Sequence, residues 1–359
     1  MNAKKGVIVV TGCSGRVGLH FAEKMGRDYQ IVGFDVVPPS RSQDLIDYFS
    51  IDLSSDESVQ KGFNEVSKKY GTKLVSVLHL AAYYSFSKGA PEMYEKITVQ
   101  GTRRILENLQ RFQCEQFIFS STQLVHKMCP LGQKVNEDSP LDPKWDYPKS
   151  KVETEALIHA KHGKIPAVIL RIAGCYDDEC HSIPIANQIQ RIYEKQFAAR
   201  VFPGDVRHGQ PFLHFDDLIS SIQLSIERRR ELPQELTLLI GEGVTYNYDQ
   251  LQRAISRLLF SREMKTVWVP QWFAKLGAWA QNHTPFMPKV FVKPWMIDLA
   301  DDNCALDISR AQATIGWEPR KTLMGTLPKM IAFLEADPLV FYKTNNLIAP
   351  RWLAKRENT

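Results

Sequence analysis

The chain has 359 residues, of which 44% are hydrophobic and 24% are charged, a composition that excludes intrinsic disorder and a fibrous structure. Its formal net charge of +5 comes from scattered basic residues, so a nucleic-acid partner is not expected. A start that enters a strand directly, and the lack of an apolar run of about 18 residues, predict a cytoplasmic protein without an integral membrane segment.

Short apolar runs alternate with amphipathic stretches through the first half of the chain. Periodicity predicts helices over residues 58–69, 94–109 and 147–160, and the apolar runs between them predict parallel strands. In such a sheet the ligand lies at the carboxyl ends of the strands. The sequence therefore predicts an α/β fold, a Rossmann-type doubly wound parallel sheet, with strands over residues 6–10, 30–34, 74–80, 115–119 and 167–170.

A glycine-rich segment, TGCSGRVG, follows the first predicted strand and opens a predicted helix. It places Gly12, Gly15 and Gly18 at intervals of three. Glycines at these positions allow a tight turn and a close approach of the backbone to a pyrophosphate, which the helix N-terminus attracts. Asp35 ends the second strand, where a carboxylate can bind the adenosine ribose hydroxyls. The segment therefore predicts a dinucleotide site.

The acid at the end of the second strand favours NAD over NADP, because Asp35 would repel a 2'-phosphate. Arg16 and Arg41 could instead favour the phosphate, so NADP stays open as an alternative. Further cofactor contacts are expected next to the glycines and after the third and fourth strands, at Arg16, Val17, Asp52, Leu53, Leu80, Ala81 and Ala82.

Tyr147 and Lys151 stand four residues apart in YPKSK, so a helix puts both side chains on one face. Asp146 is a plausible cap of this helix, and Pro148 suits its first turn. A neighbouring ammonium and a positive nicotinamide ring would both favour the phenolate form of tyrosine. The pair alone decides nothing, because a tyrosine and a lysine on an exposed helix face are usually just solvated; beside a dinucleotide site, Tyr147 is a candidate general acid/base.

The regular alternation of strands and helices ends after residue 174, where prolines separate shorter elements. We predict an NAD-binding Rossmann domain over residues 1–173, to which residues 201–230 return. A smaller, mixed substrate-binding lobe is expected over residues 174–335, followed by a tail, residues 336–359, without an assigned role. The aromatic stretch 267–295 is expected to pack under the smaller lobe, with a lid over the substrate or a membrane-touching surface as alternatives.

Six motifs in family order resemble the extended short-chain dehydrogenases/reductases, also called the NAD-dependent epimerase/dehydratase family. The resemblance covers residues 7–319 and implies an NAD-dependent enzyme with a small-molecule substrate. Its homodimers commonly form through two helices, here around residues 99–109 and 152–160. The motifs are TGCSGRVG, HLAA at residues 79–82, FIFSSTQLVH at 117–126, YPKSK, HFDD at 214–217 and IGWEP at 315–319.

The resemblance also implies roles for individual side chains. Lys151 would hydrogen-bond the nicotinamide ribose as well as act on Tyr147. Thr122 falls on the catalytic serine or threonine position and would orient the substrate oxygen, with Ser120 and Ser121 as alternatives. Redox chemistry itself would belong to the nicotinamide.

No metal site is expected in this chain. The six cysteines lack CxxC spacing, which suits reduced thiols. His79 follows an apolar strand and is expected to be a buried, hydrogen-bonded histidine.

Three departures from the family pattern bear on the substrate. Gly174 stands where enzymes that act on nucleotide sugars carry an asparagine, Gln210 stands where they carry an arginine, and Thr98 replaces another asparagine. Glutamine cannot form the charge-assisted fork that grips a diphosphate, although Arg207 could substitute. Substrate contacts are expected at Tyr83, Gln123, Gln210 and Arg207.

These departures favour an NAD-dependent oxidoreductase for a smaller or more apolar alcohol or carbonyl compound, with Tyr147 as general acid/base. The alternatives are a nucleotide-sugar epimerase or dehydratase with tightly bound NAD, and an NAD sensor without catalysis. The retained Tyr147, Lys151 and Thr122 argue against a sensor, which needs only the glycine turn and Asp35.

Overall fold

Seven apolar segments pair into one parallel sheet in the computed structural model, which describes residues 4–85, 90–283, 297 and 299–354. The spatial order is β13-β8-β7-β5-β1-β2-β3, so the fold class predicted from the sequence is confirmed. The seven strands are β1 (Val7–Thr11), β2 (Gln30–Asp35), β3 (Ile46–Ser50), β5 (Ser76–His79), β7 (Phe117–Thr122), β8 (Ala167–Ile172) and β13 (Glu235–Ile240).

Helices cover both faces of this sheet, and each face has its own apolar core. On one face Phe21 and Leu218 are buried, and on the other Phe63, Ile105 and Ile158 are buried. The first face carries α1 (Arg16–Met25), α7 (Phe215–Glu227) and α10 (Ser309–Ile315). The second carries α2 (Asp56–Tyr70), α4 (Gln100–Leu109) and α5 (Asp146–Lys161). A short helical turn, α3 (Pro91–Met93), and a π-helix (Tyr94–Val99) lead into α4.

A third apolar cluster lies among the later helices. These are α6 (Ile183–Tyr193), α8 (Tyr248–Phe260), α11 (Leu323–Ala336), α12 (Pro338–Thr344) and α13 (Arg351–Ala354). Phe341, Tyr342 and Leu353 are buried in this cluster, so the described part of the C-terminal tail packs against α6, α8 and α11.

Eight short strands form four two-stranded sheets outside the central one. The pairs are β4 (Lys73–Leu74) with β6 (Gln113–Cys114), β9 (Gly174–Tyr176) with β12 (Phe212–His214), β10 (Val201–Phe202) with β15 (Val267–Trp268), and β11 (Gly209–Gln210) with β14 (Tyr246–Asn247). Strand β13 pairs with β8 in the central sheet, although the sequence analysis placed its residues in the second lobe. The division of the chain into lobes stays a prediction.

The aromatic stretch does not pack as expected where the structure describes it. Helix α9 (Gln271–His283) leaves Trp272, Phe273, Leu276 and Trp279 more than half exposed. The expectation of packing is therefore wrong for these side chains, and residues 284–296 of the stretch lie outside the described residues. Within the described ranges, α9 and the other helices are all too short or too polar to cross a membrane.

Candidate active site

The glycine turn lies at the carboxyl end of β1, directly beside the loop that follows β5. Gly12 has φ +72°, and a β-carbon added to it would lie 2.9 Å from the backbone nitrogen of Ala81. A β-carbon at Gly18 would lie 2.7 Å from the Cα of Cys13, so helix and turn also need glycine there. Helix α1 begins at Arg16 without an acidic residue in its first turn. The amides of Gly12, Ser14 and Gly15 are bonded within the protein, so the first turn of α1 supplies the amide hydrogens and the positive helix end that an anion would meet.

Asp35 lies against this turn, as its position at the end of β2 predicts. Its Oδ2 accepts a hydrogen bond from the backbone nitrogen of Ser14 at 3.0 Å, and its Oδ1 accepts from the nitrogen of Val36 at 2.8 Å. These bonds hold the carboxylate at the edge of the glycine turn. A diol at this edge would meet an acceptor fixed by the backbone.

The third-strand contacts are arranged differently. Both carboxylate oxygens of Asp52 accept hydrogen bonds from Ser54, at 2.8 Å from its nitrogen and 2.9 Å from its hydroxyl. The Leu53 side chain is buried in the core under α2 and α4. The Asp52 carboxylate therefore serves a local turn, and a cofactor role for the two residues stays a prediction.

The loop after β5 is fastened by hydroxyl groups. The nitrogen of Ala81 donates to Thr11 Oγ1 at 3.2 Å, and the nitrogen of Tyr83 donates to Thr98 Oγ1 at 3.0 Å. Thr98 is fully buried, so this substitution of the family asparagine still supports the loop. Leu80 and Ala82 lie in the same loop, between β5 and the π-helix.

His79 is buried below the loop and hydrogen-bonded on both ring nitrogens, as expected. Its Nδ1 lies 2.6 Å from Thr11 Oγ1 and its Nε2 lies 2.9 Å from Thr102 Oγ1. Burial, with a smaller effect of Lys151, lowers its pKa to about 3. The ring is therefore neutral, and its role is to hold the strand end in place.

Three residues with hydroxyl side chains end β7, and their hydrogen-bond partners show which of them is available to a substrate. Ser120 Oγ donates to the carbonyl oxygen of His79 at 3.1 Å, and Ser121 Oγ donates to the carboxylate of Glu155. Thr122 Oγ1 accepts from the nitrogen of Leu124 at 3.3 Å and lies close enough to the phenol of Tyr147 to lower its pKa. The geometry thus favours Thr122 over the two serines as the hydroxyl at the site.

Lys151 lies one helical turn beyond Tyr147 on α5 and is only 2% exposed. Its Nζ donates to the carbonyl oxygen of Ser120 at 2.6 Å and lies 5.7 Å from the centre of the Tyr147 ring. The sequence pair is therefore brought to the end of β7, where Thr122 also lies. Helix α5 begins at Asp146 without a side-chain cap, so the expectation of an Asp146 cap is wrong.

Burial raises the pKa of the Tyr147 phenol above its ordinary value, Cys175 adds to the rise, and the Thr122 hydrogen bond opposes it. The direction is opposite to the lowering that the sequence predicted. The phenol therefore holds its proton at neutral pH in the protein without a bound cofactor. Aromatic rings surround it, with Tyr84 at 4.8 Å and Trp145 at 5.4 Å between ring centres.

A buried charged network behind the site was missed by the sequence analysis. Arg171 on β8 donates to Glu155 through both Nε and Nη2, the latter at 2.7 Å, and its Nη1 lies 3.0 Å from His126 Nε2. Glu155 also accepts from Ser121, next to Thr122. It stands four residues after Lys151, the one signal in the sequence that could have placed it on the same helix face.

The four residues expected to contact substrate each contact a different part of the protein. Gln123 is buried and accepts from Cys304 Sγ at 3.3 Å, and Gln210 Nε2 donates to the carbonyl oxygen of Asp302 at 2.9 Å. Arg207 is exposed and forms a two-pronged ion pair with Asp205. Its guanidinium is therefore engaged at the surface, and the Tyr83 ring packs edge-on against Tyr94.

A cleft of about 640 Å³ opens over the glycine turn. Its lining residues come from the turn, the loop after β2, the segment after β9 and the end of β12, and include Ser14, Arg16, Arg41, Asp177, His181 and His214. Arg41 pairs with Glu23 at 2.9 Å. Within the described ranges, no three His, Cys, Asp or Glu side chains are grouped as they would be around a metal ion.

The buried lysine predicts a distinct pH dependence of stability. Burial lowers the pKa of Lys151 to about 7, and Glu155 opposes this lowering. Below about pH 7 the ammonium is charged in folded and unfolded chains alike, so its burial costs stability in full. Above about pH 7 the folded state releases the proton while the unfolded state keeps it up to about pH 10, so the free energy of unfolding rises with pH.

We expect Lys151→Met to remove this rise. Between about pH 6 and pH 9 the wild type should gain about 2–3 kcal/mol relative to the variant. Urea denaturation of both proteins at the two pH values measures the difference. Parallel pH profiles for the two proteins would show that Lys151 keeps an ordinary pKa.

Comparisons with known proteins show the family of this chain. The family model described as the NAD-dependent epimerase/dehydratase family matches residues 8–241. The chain is 25% identical to dTDP-4-dehydro-6-deoxyglucose reductase of Escherichia coli, over 92% of this chain and 98% of that protein. It is 24% identical to human 3 beta-hydroxysteroid dehydrogenase type 7, over 72% of this chain and 76% of that protein.

Solved structures share the fold. The UDP-glucose 4-epimerase of Thermotoga maritima, solved with UDP-glucose, superposes with a TM-score of 0.69 at 20% identity, covering 92% of this chain and 99% of that one. The UDP-glucuronic acid 4-epimerase of Bacillus cereus, solved with UDP-glucuronic acid and NAD, gives 0.68 at 20% identity over the same shares. At these identities the likeness establishes the fold.

Proposed function

The chain belongs to the NAD-dependent epimerase/dehydratase family, and from this premise we propose that it is an oxidoreductase of alcohol or carbonyl compounds with Tyr147 as general acid/base. The observation that carries the proposal is the meeting of three side chains at the end of β7. Thr122 lies close enough to the Tyr147 phenol to lower its pKa, and Lys151 is buried one helical turn away. A protein that only sensed NAD would have no use for this arrangement.

The residues at the glycine turn fit an NAD molecule. A side chain at Gly12 would clash with the backbone of Ala81, so glycine lets the turn lie close to the loop after β5 and leaves room for a pyrophosphate at the end of β1. Arg16 and Val17 begin the helix whose positive end faces that group, and Asp35 would accept from the adenosine ribose. When bound, NAD supplies the hydride acceptor or donor.

The chain's own residues would handle the proton. The raised pKa of Tyr147 keeps the phenol protonated, so it can donate to a carbonyl oxygen during reduction. In oxidation the same oxygen would accept the hydroxyl proton of the alcohol. Thr122 would orient the substrate oxygen, and Lys151 would hold the ribose and, where it is protonated, favour the phenolate.

The contacts around Gln210 support a substrate other than a sugar nucleotide. Gln210 is bonded to a backbone carbonyl, Arg207 is paired with Asp205, and Gly174 has no side chain to offer. Two similar proteins are named as a reductase of a dTDP-sugar and a hydroxysteroid dehydrogenase, so the relatives include net oxidoreductases. We propose a smaller or more apolar alcohol or carbonyl compound.

Net formation of NADH tests the proposal. Incubation with NAD and a panel of alcohols, including sterols, should accumulate NADH with at least one of them. An epimerase would return the hydride within each cycle and accumulate none. A strong rise of the melting temperature with a UDP-sugar or dTDP-sugar, and no NADH from any alcohol, would favour the epimerase instead.

Asp35 is expected to set the preference for NAD. In Asp35→Asn an amide oxygen can still accept from the Ser14 nitrogen, but the negative charge that repels a 2'-phosphate is gone. We expect the ratio of NADP to NAD affinity to rise about tenfold or more while NAD affinity changes less. Calorimetric titration with both dinucleotides measures the ratio. An unchanged ratio would show that the Asp35 charge does not set the preference.

We also propose a homodimer in the cytoplasm. Helices α4 and α5 lie side by side on one face of the central sheet, and they contain the segments through which family members commonly pair. Light scattering of the purified protein tests the assembly.

A further inference from the structure

Helix α9 carries an apolar stripe that the rest of the described chain does not bury. Trp272, Leu276 and Trp279 stand at i, i+4 and i+7, so they share one helix face, and their exposed fractions are 68%, 56% and 54%. Phe273 flanks the stripe at 53%. A helix of a globular protein normally turns such a stripe toward the core. We call Trp268, Trp272, Phe273, Leu276 and Trp279 the aromatic patch.

The charged residues in the stretch of sequence that contains helix α9 are of one sign. Residues 265–295 contain four lysines, at 265, 275, 289 and 293, and no aspartate or glutamate. Helix α9 itself has Lys275 as its one charged residue. Tryptophan, phenylalanine and leucine on one face together with lysine are typical of helices that lie in a membrane interface. The lysines of this stretch are complementary to anionic lipid headgroups.

A second cleft, of about 570 Å³, opens at the edge of the aromatic patch. Trp268 and Gln271, the first residue of α9, line it together with Gly204, Asp205 and Asp301. It lies where the patch meets the segment that leads to Gln210. A molecule leaving a lipid surface under the patch would meet this opening first.

The cleft is connected to the end of β7 by one segment of chain. Asp301 Oδ1 accepts from the nitrogen of Asp205 at 2.8 Å at the cleft, and three residues later Cys304 Sγ donates to Gln123 Oε1 at 3.3 Å. Gln123 directly follows Thr122. The patch, the cleft and the candidate active site are therefore linked through residues 301–304.

We propose that the aromatic patch docks this protein on the surface of an anionic lipid bilayer, and that its substrate is an amphiphilic alcohol or carbonyl compound drawn from that bilayer. Docking stands on the patch and its charges alone. The substrate class rests on the oxidoreductase function proposed above.

Vesicle binding tests the docking. The wild-type chain is floated with phosphatidylcholine vesicles and with vesicles that contain about 30% phosphatidylglycerol, at low and high salt. We expect binding to the anionic vesicles that weakens with salt, and a loss of about tenfold or more in Trp272→Ser/Leu276→Ser. Ile348→Ser, which removes a 75% exposed apolar side chain from another segment, is the matched control and should bind as the wild type does.

Two further measurements on the same samples decide the interpretation. Light scattering shows whether the double variant breaks up an assembly of the wild type; if it does, the patch joins copies of this chain and the lipid proposal fails. It also fails if the wild type binds neither vesicle. Calorimetric titration with NAD separates the two proposals. Binding of NAD without binding of vesicles would overturn only the docking. Binding of vesicles without binding of NAD would overturn only the oxidoreductase.

Discussion

Tyr147→Phe should lower turnover by about 10²–10⁴-fold while leaving the affinity for NAD nearly unchanged. The substitution removes one oxygen, the phenol oxygen whose pKa Thr122 at the end of β7 lowers. The aromatic ring and its contacts with Tyr84 and Trp145 remain, so the fold of the site is preserved. Initial rates of NADH formation and calorimetric titration with NAD measure the two quantities.

Tyr84→Phe is the matched control for this variant. Its ring packs edge-on against Tyr147, yet the proposed proton transfer does not involve its hydroxyl. We expect a change of less than about tenfold in turnover. Equal losses in the two variants would move the acid/base role away from Tyr147. Retained turnover in Tyr147→Phe would remove that role altogether.

Arg171→Met should lower the free energy of unfolding by about 3–5 kcal/mol. Arg171 and Glu155 each have a side chain only 9% exposed, and Arg171 contacts Glu155, His126 and the carbonyl oxygen of Glu137. Removing the guanidinium leaves a buried carboxylate without its cation, close to Lys151 and Ser121. Urea denaturation at neutral pH measures the loss.

The double variant Arg171→Met/Glu155→Leu separates pairing from packing. Once both charges are gone, no unpaired charge is buried, so the loss should be clearly smaller than the sum of the two single losses. Lys5→Met breaks an ion pair whose side chains are more than half exposed and should change stability little. Additive losses in the double variant would mean that Arg171 and Glu155 are not energetically coupled.

Local patterns in the sequence carried much of the fold and of the candidate site. Gly12, Gly18 and Asp35 were predictable because strand, turn and helix follow one another within a few residues. Tyr147 and Lys151 were predictable because a helix repeats every 3.6 residues, which puts residues four apart on one face. The placement of Thr122 needed only the end of the strand, although the choice over Ser120 and Ser121 needed their partners.

Contacts between distant segments were beyond that reasoning. Arg171 meets His126 across 45 residues of sequence, and the burial that lowers the pKa of Lys151 comes from the packing of α5 on the sheet. Strand β13 belongs to the central sheet because it pairs with β8, a strand more than 60 residues earlier in the sequence. The exposure of Trp272 and Trp279 depends on which other segments of the chain pack on helix α9. A short sequence pattern does not show which segments pack on a helix.

The most direct test of the account is a crystal structure of the protein grown with NAD. We expect the pyrophosphate against the turn of Gly12 and Gly15, the adenosine ribose at Asp35, and the nicotinamide ring beside the phenol oxygen of Tyr147 with Lys151 on its ribose. A dinucleotide bound with its nicotinamide away from Tyr147, or no bound dinucleotide at saturating NAD, would contradict the proposed chemistry.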